Sequence, residues 1–314
     1  MAFKSKLKIL FFSLALVLPC HMLFADNYSV YIEPGFSYTY EHFTEDLYDV
    51  PAKLNSRLEW NADYLFKAGT GVFVKDENLR FDGSLYFNLP LNCGTVYDSD
   101  WYTKGIKTNL SKGELWSGFG FELSFKLAYE LKLDKSFSLL PHIAFTNNYK
   151  KYGIKNNIGW CGDIRHTGLG ENIWWNDERA KKVRKYGIDL FYNSTNVFMG
   201  LGFENKINDF LFGGGVSFSP YSYLLCIDHH LGKTGGSYSQ ITKKAFWYKA
   251  DVEFAYEFTD KSLLHLAGSY VVCPASRATF YYGHFFTDHI IADEYEIISL
   301  NNICVQLIYS YKLK

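Results

Sequence analysis

Two short clusters carry residue types that can do hydrolytic chemistry: Asp98-Ser99-Asp100 and Asp228-His229-His230. An aspartate beside a histidine can fix the imidazole tautomer and support the ring as a general base. Two close carboxylates tend to share a proton and can position a water. Side chains alternate faces along a strand. Around the second cluster Tyr221, Tyr223, Leu225 and Ile227 form an apolar column, which places Cys226, Asp228 and His230 together on the other face. His229 falls on the apolar side. Around the first cluster the even positions are polar, so Asp98 and Asp100 share a face. Such a set suits attack of water on a peptide carbonyl without a covalent intermediate. Metal binding by Asp228, His229 and His230 is a rival reading, but neighbouring residues point to opposite faces, so only two of the three can serve one ion. Polar residues at the mouth of a barrel are ordinarily just solvated. What makes these two clusters informative is that both sit at matching ends of their strands. No serine or cysteine nucleophile constellation competes, and no metal or other cofactor is expected.

The elements that must hold these clusters are long strands of period two. Leu79, Phe81, Leu85, Phe87 and Leu91 alternate with Arg80, Asp82, Ser84, Asn88 and Asn92 on the way to Asp98 and Asp100. The same split recurs from Phe119 to Leu131 and from Phe246 to Phe258. These runs exceed ordinary globular strands of about 5–6 residues. They reach the roughly 9–11 residues that cross a bilayer when tilted. No segment after the N-terminus is apolar for the 18 or so residues a spanning helix needs. Aromatic residues make up 19% of the 314-residue chain, heavy for a soluble domain. The formal net charge is −1, and no basic excess points to nucleic acid. Lys4, Lys6 and Lys8, the apolar run Ile9 to Leu18 and Ala25 before Asp26 read as a signal peptide over 1–25. Residues 26–314 are then a single barrel domain. Cys93, Cys161, Cys226, Cys273 and Cys304 lack CxxC spacing, which fits neither a zinc framework nor a disulfide-dense scaffold.

Tight turns at Asp76-Glu77-Asn78, Asp134-Lys135-Ser136, Asn208-Asp209 and Asp260-Lys261 alternate with longer polar loops near 44–50, 101–113, 155–183, 229–240 and 284–291. That pattern predicts an all-β fold, a ten-stranded antiparallel transmembrane barrel whose long loops are extracellular. The first strand, near 28–43, should close against the last, near 292–313, because an open edge is untenable in lipid. Asp98 and Asp100 then end the third strand and Asp228 the seventh, on opposite walls of one mouth. Trp160, Trp174 and Trp175 in the loop over 155–183 read as loop packing or an aromatic girdle sooner than as a substrate grip.

With these segments in place the chain resembles the omptin family of outer-membrane proteases. The resemblance rests on Tyr97-Asp98-Ser99-Asp100-Trp101, on Cys226-Ile227-Asp228-His229-His230 and on Ser56-Arg57-Leu58-Glu59-Trp60, together with strand and loop order along the mature chain. It implies that Asp98 and Asp100 hold the attacking water and that Asp228 with His230 is the dyad. It also implies polypeptide substrates at the cell surface, contact with outer-membrane lipid, and a site that faces the exterior. Family members that cut between basic residues carry an acid where this chain has Cys226, and a glutamate on the first strand, for which Glu41 is the candidate here. Both are expected to line the substrate pocket, with looser selection for basic residues. The family's lipopolysaccharide-binding Tyr, Glu and Arg appear as Phe145, Asn147 and Tyr149, which puts a lipopolysaccharide requirement in question. A non-catalytic barrel acting as adhesin or binding protein is the alternative, and a barrel lipase would need an activated serine that Ser99, pointing away, does not supply.

Overall fold

The computed structural model describes residues 28–49, 53–185, 187–230, 237–243, 245–283 and 294–313. The expected signal peptide and the loop near 284–291 lie outside them. Fourteen strands form one antiparallel sheet: β1 (Tyr28–Asp49), β2 (Lys53–Asp76), β3 (Leu79–Asn88), β4 (Asn92–Asp100), β5 (Asn109–Tyr129), β6 (Leu131–Lys132), β7 (Phe137–Cys161), β8 (Lys181–Arg184), β9 (Ile188–Ile207), β10 (Phe210–His230), β11 (Ser237–Lys243), β12 (Trp247–Thr259), β13 (Ser262–Gly283) and β14 (Glu294–Lys312). They make ten staves. β3 and β4 share one stave between β2 and β5, and β11 and β12 share another between β10 and β13. β6 prolongs β5 and β8 leads into β9, both against β7. β1 pairs with β14 from Tyr31↔Lys312 to Asp49↔Glu294, so the ring closes as the sequence predicts.

The outward columns form an apolar belt. Ile32, Phe36, Tyr38 and Tyr40 on β1, Phe210, Phe212, Val216 and Phe218 on β10, and Ile303, Val305, Leu307 and Tyr309 on β14 are all exposed, Phe36 and Val216 at 66%. A band of this kind is what a barrel turns toward lipid. Above it the outer wall becomes polar. Thr44 bonds Ser299 hydroxyl to hydroxyl at 2.6 Å, and Asp46 accepts from Arg57 Nε at 2.6 Å. These strands run beyond the apolar belt at the long-loop end.

Two features depart from the expected strand plan. The run from Leu79 to Asp100 is broken at Leu89-Pro90-Leu91, where proline has no N–H for the ladder. The stave restarts at a bulge whose Gly94 has φ +153°. A Cβ there would lie 1.9 Å from the Asn61 carbonyl oxygen, so only glycine permits the approach. The even column keeps its side across this break. Second, the expected loop 44–50 is strand as far as Asp49, and 155–161 is strand as far as Cys161. Tyr48 stacks on Tyr295 with centroids 5.4 Å apart and extends the β1–β14 pairing above the belt.

The lumen is filled. Arg80 donates to Glu204 at 2.6 Å and to Glu130 at 3.2 Å near the tight-turn end. Lys67 meets Glu122 at 2.5 Å, and Lys150 meets Glu41, near mid-barrel. Closer to the long-loop end, Phe43, Trp60, Leu115, Leu190, Leu224, Ile298 and Leu300 pack into one buried cluster beneath the mouth.

Candidate functional site

The first acid pair is set by cross-strand register. Asp98 lies opposite Leu58 on β2 and Ser111 on β5, and Asp100 lies opposite Ser56 and Asn109. Directly opposed residues share a face. Leu58, Ser111 and Asn109 are buried inside the wall, so both aspartates belong to the inward column. Asn109 Nδ2 donates to Asp100 Oδ2 at 3.5 Å, and the Tyr102 hydroxyl donates to the same oxygen at 3.4 Å. Burial, with the Asp100 charge beside it, pushes the Tyr102 phenol up to about 12.

On the facing wall, β10 carries Leu224, Cys226 and Asp228 inward, all buried, and Ile188 is the register partner of His230. The side chain of His230 lies outside the described part of the structure. Asp228 is not isolated. Burial, the adjoining Glu45 carboxyl and the Asp98 charge together hold its own carboxyl well above the usual range. Thus the two walls meet electrostatically: Asp98 bears on Asp228 across the mouth.

Glu45 is the residue that sequence reasoning missed. It projects inward from the part of β1 expected to be loop and is buried. Trp60 Nε1 donates to its Oε2 at 3.2 Å. Burial, with the Glu296 charge nearby, pushes Glu45 up to about 8 despite that bond. Neither Glu45 Oε1 nor Asp228 Oδ1 has an ordinary donor among the described residues. The two carboxyls instead adjoin each other, and close carboxylates of this kind tend to share a proton. The Cys226 thiol also bonds Glu45, and burial with that acid raises it well above its ordinary value. Inward alternation from Ser37 through Thr39, Glu41 and Phe43 to Glu45 is the signal that could have extended the strand and found this acid.

Glu41, expected to line the substrate pocket, lies in the lumen with partners of its own. Lys150 Nζ donates to its Oε2, Asn302 Nδ2 donates to the same oxygen at 2.9 Å, and the Tyr152 hydroxyl donates to Oε1 at 3.1 Å. It is a fully engaged acid within the lumen, two inward steps below Glu45 with Phe43 between them. The acid that borders Cys226 is Glu45.

No protein-family model matches this chain, and no curated protein matches its sequence. In structure, the chain is similar to the outer membrane protease OmpT from Escherichia coli, with TM-score 0.76 and 14% identity over 92% of this chain and 99% of that one. Looser likenesses, each at TM-score 0.37 and 9% identity, are to the translocator domain of the autotransporter NalP from Neisseria meningitidis and the outer membrane protein OprG from Pseudomonas aeruginosa. At these identities the likeness is one of fold, and the chain has the fold of an outer-membrane β-barrel.

Proposed function

We propose that this protein is an outer-membrane endopeptidase of omptin type, with its site open to the cell exterior and polypeptides as substrates. The observation that carries the reading is the convergence of Asp98 and Asp100 from β4 with Asp228 from β10 at one end of the lumen. In this reading Asp98 and Asp100 hold a water, and His230, two positions beyond Asp228 on the same column, takes its proton as it attacks the scissile carbonyl. Asp228 orients the imidazole. The fold shared with OmpT, an outer membrane protease, supports the assignment.

The Glu45–Asp228 contact shapes the mechanism. A dyad aspartate must be ionised to support an imidazolium. While Asp228 and Glu45 share a proton, that support is incomplete. A substrate lysine or arginine entering beside Cys226 would pair with Glu45, release the shared proton and free Asp228 for His230. Basic residues would then both bind and activate. The same contact is the observation that favours a second reading, a non-catalytic adhesin or binding barrel, if the pair stays protonated at working pH.

The deciding experiment is a peptide-library digest by refolded protein in lipid, with and without lipopolysaccharide, beside Asp98→Ala and Asp228→Ala controls. Cleavage that both variants abolish supports the protease. Digestion by none of the three supports the binding barrel. Activity seen only in the presence of lipopolysaccharide would make that lipid a requirement.

A further inference from the structure

At the outer rim, β7 ends on Cys161 and the chain turns at once into a single helical turn, Ile164–Thr167. Cys161 Sγ, an Asp163 carboxylate oxygen and a ring nitrogen of His166 all lie within 4.8 Å of one another. Cys161 is 0% and Asp163 1% exposed, whereas His166 is open to solvent. Backbone bonds fix the segment. Gly162 N donates to Thr108 O at 2.8 Å, Ile173 N to Gly162 O at 2.8 Å and His166 N to Asp163 O at 3.1 Å. Asp163 also caps the turn, accepting from Arg165 N at 3.0 Å. Among the described residues no other group of three His, Cys, Asp or Glu side chains is so placed.

We propose that Cys161, Asp163 and His166 bind a zinc-class divalent cation. One thiolate, one carboxylate and one imidazole are a donor set suited to a borderline-soft ion with tetrahedral preference. Three ligands within six residues of a fixed turn need little chain ordering to converge. Two are buried and one is exposed, which gives the ion an entry path and leaves its fourth position to water. The ion takes the place of the Cys161 thiol proton, which goes to solvent. The His166 Nδ1 to Asp163 Oδ2 contact of 2.7 Å opens to ligand spacing, and the imidazole keeps its one proton on the nitrogen that does not bind. Two cations compete for the same anionic groups: Arg165, 3.3 Å from Asp163 Oδ1 and largely exposed, and Lys185, which bonds the Cys161 sulfur. Arg165 also lies over the Tyr102 ring, 4.7 Å from its centroid, so both side chains must be displaced for the ion to seat. The site lies close to Asp100, which shares Asn109 with Asp163, but its metal binding is tested without the proteolytic reaction.

Cobalt(II) titration of the refolded full chain in detergent tests the proposal. The expected result is one equivalent of bound metal with a thiolate-to-cobalt charge-transfer band and visible bands of tetrahedral intensity, all displaced by zinc. Cys161→Ser should abolish the charge-transfer band while Cys93, Cys226, Cys273 and Cys304 remain. His166→Ala, at an exposed position that the barrel does not need for folding, should weaken cobalt binding with Tm in the absence of metal unchanged. Absence of the band from the parent protein overturns the proposal, and so does a band that survives Cys161→Ser.

Discussion

His229 and His230 differ by one position along β10, and strand parity makes opposite predictions for them. Asp98→Ala, Asp100→Ala, Asp228→Ala and His230→Ala should each lower proteolysis by roughly 10²–10⁴-fold with the barrel still folded. His229→Ala should cost far less. Peptide hydrolysis beside heat-modifiable gel mobility measures both, and an essential His229 would put the register in error. Glu45 gives a stability test. Its carboxyl is raised from 4.5 to about 8, and Asp228 is raised as well, so between these values the folded chain binds more protons than the unfolded one. Stability must therefore fall as pH rises through that window. Glu45→Gln should flatten the decline and raise Tm at pH 8, by an amount on the order of a few kcal/mol in the underlying free energy. A Tm profile unchanged by Glu45→Gln would remove the shared proton from the account. The same variant should weaken any preference for basic residues at the cleavage site, and Cys226→Asp should sharpen it, both read from the peptide-library digest.

Along the strands, alternation made most of the fold legible. Phe87, 43% exposed, and Asn88, 8% exposed, occupy opposite faces as their residue types require. Spin labels at the two should differ sharply in oxygen accessibility; equal values would refute the facing of β3. What alternation did not reveal is where strands exceed the membrane. Thr44, Asp46 and Tyr48 resemble loop residues because their face of β1 is polar or aromatic, although Phe43 and Glu45 continue the inward column. The inward facing of Asp98, Asp100 and Asp228 was readable because each lies in a compact local motif. Glu45 and Glu296 were not, since their partners come from distant strands. The partner of Glu41 was hidden for the same reason: Lys150, 109 positions away, meets it across the lumen. Lys150→Ala should leave Glu41 a buried, unpaired charge and destabilise the barrel by about 3–5 kcal/mol. The measure is loss of the folded band on heating, and it should leave any preference for basic residues intact.

At the scale of the molecule, the described residues of the ring fill its lumen. Charged pairs fill the lower lumen and an apolar cluster fills the upper, so chemistry is confined to the mouth. Conductance measurements in planar bilayers should accordingly show no stable porin-like step. The seam between β1 and β14 carries a consequence for assembly. Seventeen register pairs join segments at opposite ends of the described chain, and no closed ring exists before β14 has arrived. Every earlier state presents two bare edges that lipid cannot satisfy. Contacts of such long sequence separation form slowly. The kinetics of barrel formation should therefore be governed by this last zipper, and weakening the Tyr48–Tyr295 stack at its outer end should accelerate opening far more than it slows closure if the zipper starts from the opposite end.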